Sequence, residues 1–404
     1  MKKTIWIVNQ YASHLEERHL NLAAGFARRG CRTVVITSSF HHGTHTYLYD
    51  EPVKIVKRQD GVHFVYLKSA PAYRSNSGKR ILNMLDFCRL YLRSQGRIAS
   101  ELGKPDFVIG SSAPPFMWEI ARRTAGKYGA KFIAEFRDIW PQSLIDIQGV
   151  SPSHPLIKFF AAMEKRAYSR ADAIVGTMPY AYLHVCDELG FPREKVWWMS
   201  NGIDLEKADR GADSLPGELE RYLETHWCCI YIGSIVKSEC VQYLVEAWEQ
   251  VGDPEICFAL IGDGNESPAV DAMIRRIGGD RIRHFGSIKK EQIPLALEKA
   301  RCCVAAHPDY PVYRFGLSMN KLYDYLYSAK PVVFAFSADN VVGEAGGFTV
   351  PYGDRKAMAE AIERVKALSP EELENMGRRG KSLIREQYDY RVIADRYLDM
   401  LLSL

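Results

Sequence analysis

The 404-residue sequence contains no apolar run approaching the ~18 residues that a membrane-spanning helix requires. Its start, "MKKTIWIVNQYASHL", carries two lysines, but the apolar stretch behind them is only about five residues, too short for a signal peptide. A cytoplasmic chain is therefore expected. Nine cysteines are present without a C-x-x-C or a His/Cys cluster, so no zinc site or other metal centre is anticipated. The adjacent pairs Cys228-Cys229 and Cys302-Cys303 fall inside strand-like runs and read as buried, inert thiols. A net charge of +4 does not suit a wholesale nucleic-acid binder; any basic surface must be local. The G-x-G-x-x-G, Walker A and G-x-S-x-G patterns are also missing. Their absence argues against a dinucleotide oxidoreductase, a P-loop NTPase and an α/β-hydrolase. No repeat or low-complexity segment occurs.

What is present is a regular alternation of short apolar runs with helical patterns. "TIWIVNQ", "CRTVVITSS", "VHFVYLK", "DFVIGSS", "AKFIAEF" and "ADAIVGTM" read as strands, and "EERHLNLAAGFARRG" as a helix closed by Gly30. After "VWWMSNGID" the pattern restarts with "CCIYIGS", "ICFALIGDG", "IRHFGS", "ARCCVAAH", "KPVVFAF" and "GFTVPYG". Strands separated by helices imply parallel sheets covered on both faces. A dozen strands are too many for one open sheet, so the expected fold class is α/β with two doubly wound, Rossmann-like domains. The first is placed at residues 1–200 and the second at 201–385. The polar, acidic stretch "EKADRGADSLPGELERYLETHW" is the expected linker region. Ligands of such sheets sit beyond the carboxyl ends of the strands, so a cleft between the domains is the expected site.

Three junctions could carry chemistry in the second half. "YIGSIVKSEC" and "LIGDGNESP" place Gly233, Gly262 and Gly264 directly after strands, where a bare backbone can approach a ligand. An ordinary turn is the plainer reading of each. The third is "RFGLSMNKLYDYLYSAKPVV", in which Arg314 and Lys321 flank Gly316 ahead of a helix and an apolar strand. Two positive donors with backbone amides suit a diphosphate. Asp324 lies one turn beyond Lys321; a carboxylate there would repel phosphate but suits the two hydroxyl donors of a ribose. A simple i,i+3 Lys–Asp pair on a solvated helix is the alternative.

This stretch resembles the retaining GT-B glycosyltransferases of family 4, particularly their bacterial surface-polysaccharide branch. Relatives there carry "Y-x-Y/F-G-x-S-x-N-K-x-x-D/E-Y" followed by "G-K-P-V"; the sequence has "YRFGLSMNKLYDYLYSAKP", with Ala329 where glycine is usual. The resemblance continues, in order, through "RGCRTVVITSSFHH", "EFRDIWPQSL", "ADAIVGT", "SNGID", "IGDG", "HFGSI" and "REQYDYRVIADRY". It implies that Arg314, Lys321 and the backbone of Gly316, Leu317, Ser318 and Met319 hold a diphosphate. It also implies that Asp324, with Gly262, Gly264 and Ile288, holds ribose and base. Of the two glutamates usual in the family, the second falls on Asp324 and the first on Gly316, so no carboxylate meets the donor sugar there. The first loop of the second domain, Gly233, Ser234 and Lys237, has serine in the arginine position, and the lysine position falls near Glu239 or Cys240. Asn201 begins the crossing between domains and, by resemblance, closes the cleft near the donor; a hinge turn is the alternative.

In the first half, Arg137 and Asp138 of "EFRDIW" follow a strand, and the resemblance puts Asp138 beside the reacting carbon with Arg137 orienting it or an acceptor phosphate. A structural Arg–Asp pair would look the same. His14, Glu17, His19 and His41 are candidates for an acceptor pocket. No Asp-x-Asp occurs, so a metal-independent reaction without cofactor is expected, with Arg and Lys replacing a metal's charge. The final helix, within 386–404, is expected to return to the first domain as in relatives. A basic amphipathic stretch, "YRSNSGKRILNMLDFCRLYLRSQGRIAS", carries Arg74, Lys79, Arg80, Arg89, Arg93 and Arg97 among apolar residues. It suits anionic headgroups at the inner membrane surface, or else a core helix with a solvated face. The implied function is transfer of a sugar from a nucleotide sugar, with UDP as the guess, to a saccharide acceptor linked to polyprenyl diphosphate. O-antigen, capsule or exopolysaccharide would be the product. A sugar-nucleotide epimerase and a non-catalytic nucleotide-sugar-binding partner remain as alternatives.

Overall fold

The computed structural model describes residues 2–12, 17–74 and 78–404. The chain divides into two compact units, one of Met1–Asn201 with Tyr390–Leu404 and the other of Gly202–Asp389.

The sheet of the first unit contains β1 (Thr4–Val8), β2 (Arg32–Ser38), β5 (Val53–Lys57), β6 (His63–Leu67), β7 (Phe107–Ser111), β8 (Lys131–Phe136), β9 (Ala173–Gly176) and β10 (Val196–Trp198). A small hairpin, β3 (Phe40–His41) and β4 (Thr46–Tyr47), stands apart. The sheet order is β10-β9-β8-β7-β1-β2-β6-β5. Only β5 runs antiparallel to its neighbour among these pairings. Central strands such as β1, "TIWIV", are buried along their whole length, as a sheet covered on both faces demands. Chain reversal at β1 puts β2 on one side and β7 on the other, so the switch point lies between the carboxyl ends of β1 and β7. The last helix, Tyr390–Ser403, packs on the helix Glu17–Arg28, with Phe26 stacked on Tyr397 at 5.6 Å. Gly25 permits this approach: a Cβ there would stand 2.3 Å from that of Ala394.

The second unit has β11 (Trp227–Ile232), β12 (Ile256–Ile261), β13 (Ile282–His284), β14 (Cys302–Ala306), β15 (Val332–Ala335) and β16 (Phe348–Val350). They form one parallel sheet in the order β13-β12-β11-β14-β15-β16, with the switch point between β11 and β14. Cys228, Cys229, Cys257, Cys302 and Cys303 are all buried in it, and burial holds the thiols of Cys228 and Cys229 above their ordinary pKa, which keeps them protonated and unreactive. The stretch expected as a linker is instead part of this unit. Its helix Gly217–Thr225 buries Leu219, Tyr222 and Leu223, and Tyr222 Oη donates to the carbonyls of Asp280 and Arg281. The apolar spacing 219-222-223 outweighs the acidic composition around it.

Candidate active site

In the second unit, the residues after β11 and β14 meet the start of the helix Asn320–Tyr327. That helix is fixed by Tyr325, a buried side chain whose hydroxyl accepts from Ile232 N at 2.8 Å and donates to Ile232 O at 3.1 Å. The last residue of β11 therefore has both backbone groups satisfied from the helix. One turn earlier, Lys321 Nζ donates to Tyr231 Oη at 2.9 Å and lies 4.4 Å from the centre of the Tyr231 ring. It also forms an ion pair with Glu239. Tyr231 Oη passes the chain on, donating to the carbonyl of Ser234 at 2.8 Å. Burial pulls Lys321 below the ordinary lysine pKa while Glu239 pulls it back up. Gly233 completes the arrangement: a Cβ at this position would stand 2.8 Å from Lys321 Nζ and 3.0 Å from Tyr231 Oη. His307, just beyond β14, is buried and held below the ordinary imidazole pKa by desolvation.

The structure thus brings together Lys321, Gly233, Tyr231 and Glu239, with Asp324 half-buried on the same helix one turn from Lys321. Glu239 and Tyr231 carried no assignment from sequence. Arg314 belongs to the 3-10 turn Pro311–Phe315, is exposed, donates to the carbonyl of Pro311 at 2.8 Å and lies over the Phe315 ring at 4.1 Å. The expectation for the Gly316 amide changes, because that N–H donates to the carbonyl of Tyr313 at 2.9 Å. Any backbone contribution to an anion falls to the residues that follow, Leu317, Ser318 and Met319. Gly316 itself has φ 88°, so a glutamate could not replace it on this backbone without strain.

Gly262 and Gly264 are required by close backbone packing. Cβ atoms there would lie 1.8 Å from the carbonyl oxygen of Gly233 and 2.2 Å from that of Ile235. The two loops are zipped by Gly233 N to Ile261 O at 3.0 Å and Ile235 N to Asp263 O at 2.9 Å. Ser234 and Lys237 are exposed on the β11 loop, Lys237 opening a 3-10 turn that ends at Glu239. Ile288 is half-buried in the loop after β13.

In the first unit, the end of β8 carries Glu135, fully buried, followed by Arg137 and Asp138. Arg18 Nη2 donates to Glu135 Oε2 at 2.9 Å and to the carbonyl of Met199 at 2.9 Å. Its Nη1 reaches Asn201 Oδ1 at 3.4 Å, which ties Asn201 to this network. His19 Nε2 lies 2.9 Å from Glu135 Oε1 and 3.2 Å from Ser111 Oγ, while Ser111 Oγ donates to the same carboxylate oxygen at 2.7 Å. Desolvation opposes the charge on Glu135, but Arg18 and His19 hold its carboxyl well below the ordinary range. Desolvation keeps His19 below its ordinary value despite Glu135, so the ring is neutral and its Nε2–H is the donor. His19 is 2% exposed and turned inward, so it presents no surface to an acceptor.

This network braces the Arg137-Asp138 step. Arg137 Nε donates to the carbonyl of Ser112 at 3.1 Å, and Thr177 Oγ1 donates to the carbonyl of Arg137 at 3.2 Å. Asp138 keeps an exposed side chain; desolvation nonetheless raises its carboxyl somewhat, and Arg137 opposes the rise. His41 is engaged within its own hairpin, its Nδ1 3.0 Å from Thr44 Oγ1. His14 and the side chain of Glu17 lie outside the described residues. Among the described residues no group of three or more His, Cys, Asp or Glu could hold a metal ion, and no helix is long and apolar enough to cross a membrane.

Two family models match the chain, the glycosyl transferase 4-like domain over residues 15–202 and the glycosyl transferases group 1 over residues 228–367. The chain belongs to the family 4 glycosyltransferases. Their GT-B fold is shared with sucrose-phosphate synthase from Thermosynechococcus elongatus, with a TM-score of 0.75 at 15% identity over 100% of this chain and 99% of that one. HepE of Anabaena, solved in complex with UDP and glucose, gives a TM-score of 0.69 at 14% identity over 100% of both chains. Among relatives of this glycosyltransferase, the colanic acid biosynthesis glycosyl transferase WcaI of Escherichia coli (strain K12) is 21% identical. That match spans 51% of this chain and 51% of WcaI, about half the length of each. The glycosyltransferase WbjE of Pseudomonas aeruginosa is 20% identical over 74% of this chain and 75% of its own.

Proposed function

We propose that this glycosyltransferase moves a sugar from a UDP-sugar to a saccharide acceptor carried on polyprenyl diphosphate, with retention at the anomeric carbon and without a metal ion. The observation that carries the reading is the place of Lys321. Its ammonium stands at the carboxyl end of β11, beside the Cβ-less Gly233 and one helical turn from Asp324. A diphosphate there would be neutralised by the ammonium and by the amides following Gly316, and Asp324 would accept from the ribose hydroxyls. The leaving phosphate takes the acceptor's proton as the acceptor oxygen attacks on the face it vacates. Asp138, as a carboxylate beside Arg137, would stabilise the positive charge that develops on the sugar. The complex of HepE with UDP and glucose supports the choice of nucleotide. The name of WcaI, which assigns it to colanic acid biosynthesis, supports a surface-polysaccharide product.

A thermal-shift series against UDP, GDP, ADP and their sugars tests the donor, since a ligand that binds only the folded state raises its melting temperature. UDP compounds should give the largest shift; GDP or ADP in that place would overturn the choice of base. Transfer should survive EDTA and yield the same anomeric configuration as the donor. Loss of turnover on chelation would refute the metal-independent scheme.

The helix Gly78–Leu102 supports a membrane-surface site for the acceptor. Phe87, Tyr91 and Ile98 face the core, while Ile81, Leu82 and Leu85 are 54%, 56% and 47% exposed beside Lys79 and Arg89. Vesicles with anionic headgroups should retain the protein, and Ile81→Ser with Leu82→Ser should release it; equal retention by zwitterionic vesicles would refute this.

A further inference from the structure

We propose that Glu239 is a placeholder anion: its carboxylate holds the position on Lys321 that the donor's diphosphate takes, and donor binding exchanges one for the other. The inference rests on the nucleotide-sugar reading above and gives a role to a residue that had none in it. Lys321 is 13% exposed and Glu239 24% exposed, so the pair is partly desolvated yet reachable from solvent. A diphosphate that approaches Lys321 over Gly233 arrives at an ammonium already engaged by a carboxylate. A second anion on the same ammonium is disfavoured, because the two anions repel one another with little screening in such partly desolvated surroundings.

The two partners differ in how firmly they are held. Lys321 sits on a helix whose Tyr325 is bonded to both backbone groups of Ile232, and its ammonium is further fixed by Tyr231 Oη. Glu239 closes a three-residue 3-10 turn, Lys237–Glu239, and the next residue, Cys240, has φ 51°. The carboxylate is therefore the partner that moves. In the absence of donor it keeps the partly buried lysine charged and beside Gly233. After transfer it recaptures the ammonium and so favours release of the nucleoside diphosphate.

Calorimetric titration of the full chain with inorganic pyrophosphate, UDP and uridine tests this. Glu239→Gln should bind pyrophosphate and UDP about tenfold more tightly than wild type, with uridine unchanged. Glu239→Ala should shift affinity in the same direction, which guards against an effect peculiar to the amide. Lys321→Met should weaken both phosphate ligands, and adding Glu239→Gln to it should restore nothing. Unchanged or weaker pyrophosphate binding by both Glu239 variants overturns the inference and leaves the donor assignment standing. A gain of equal size in the Lys321→Met background also overturns it, since the carboxylate would then act only as a general surface charge. Failure of wild type and both Glu239 variants to bind UDP or pyrophosphate overturns the inference together with the proposed function.

Discussion

Both sheets end in an ion pair, but the two pairs are built on opposite terms. In the first unit Arg18 and Glu135 are 4% and 0% exposed, and the carboxylate is closed on every side by Arg18, His19 and Ser111. In the second unit Lys321 and Glu239 keep 13% and 24% exposure, and the carboxylate comes from a single turn of a loop. A sealed charge cannot trade partners, so Arg18–Glu135 fixes the backbone that carries Arg137 and Asp138. A half-open charge can, so Lys321–Glu239 suits a ligand that enters and leaves.

The strongest way to break the comparison is to remove one carboxylate from each pair. Glu135→Ala leaves a guanidinium buried without its counter-charge, and it should lower unfolding free energy by about 3–5 kcal/mol. Glu239→Ala exposes its lysine to water and to any anion, so its effect should stay within about 1 kcal/mol. Urea denaturation of the two variants measures both. Similar losses would mean that the second pair is as structural as the first.

Next in size is the effect on transfer. Lys321→Ala should reduce kcat/KM for the donor by about 30- to 100-fold, the equivalent of losing one charge-assisted phosphate contact, with little change in stability. Asp138→Asn should reduce kcat by about tenfold to a hundredfold while donor affinity and melting temperature stay near wild type. Steady-state kinetics with varied donor separates the two. A Lys321 variant with unaltered donor KM and kcat would remove the second unit's pair from the reaction altogether.

The legibility of the two ends from sequence differs for the same physical reason. The strand pattern was readable because buried parallel strands are nearly continuous apolar runs, and "TIWIV", "CCIYI" and "ICFALI" all became central strands. β5, "VKIVK", escaped because an antiparallel edge strand is half-exposed and keeps its lysines. Lys321 and Asp324 were readable because they sit on one helix, three residues apart. Their partners were not: Glu239 is 82 residues from Lys321, and Glu135 is 117 from Arg18. One signal was available for Glu135. A carboxylate inside the strand "KFIAEF" must be matched by a buried cation or a set of donors, although nothing in the local pattern says that Arg18 supplies it.

A smaller effect sharpens the account of the sealed pair. His19 is held below its ordinary pKa of 6.5, first by desolvation, with Arg137 and Arg18 adding to the effect and Glu135 opposing it. Above pH 6.5 neither the folded nor the unfolded chain carries this proton, and the contribution to stability is complete. As pH falls below that value the unfolded chain takes up a proton that the folded chain refuses, so stability declines until the folded pKa is reached. His19→Gln should flatten this part of the stability–pH curve, with a slope change of at most about 1.4 kcal/mol per pH unit. A variant with the wild-type slope would show that His19 does not titrate apart from Glu135.

The smallest expected change bears on the loop that shapes the open pair. Two residues flanking the Lys321 helix have left-handed backbones, Gly316 at φ 88° and Ala329 at φ 58°. Glycine meets that conformation without penalty at the first position, but the second carries a methyl group where the family usually has glycine. The bend at Ala329 follows the end of the helix at Ser328, and Gly377 packs so closely on it that a Cβ there would lie 2.2 Å from the Ala329 carbonyl oxygen. Ala329→Gly relieves the side-chain clash of a left-handed residue and adds some chain entropy to the unfolded state, so the net gain should be at most about 1 kcal/mol. In a unit of this size that is about 2–4 °C in melting temperature. Since the change lies beyond the carboxyl end of the helix that holds Lys321, donor affinity should stay at the wild-type value. A stabilised variant with altered UDP binding would mean that the strain at Ala329 reaches the ammonium, and that the open pair is tuned from the far end of its helix as well as by Glu239.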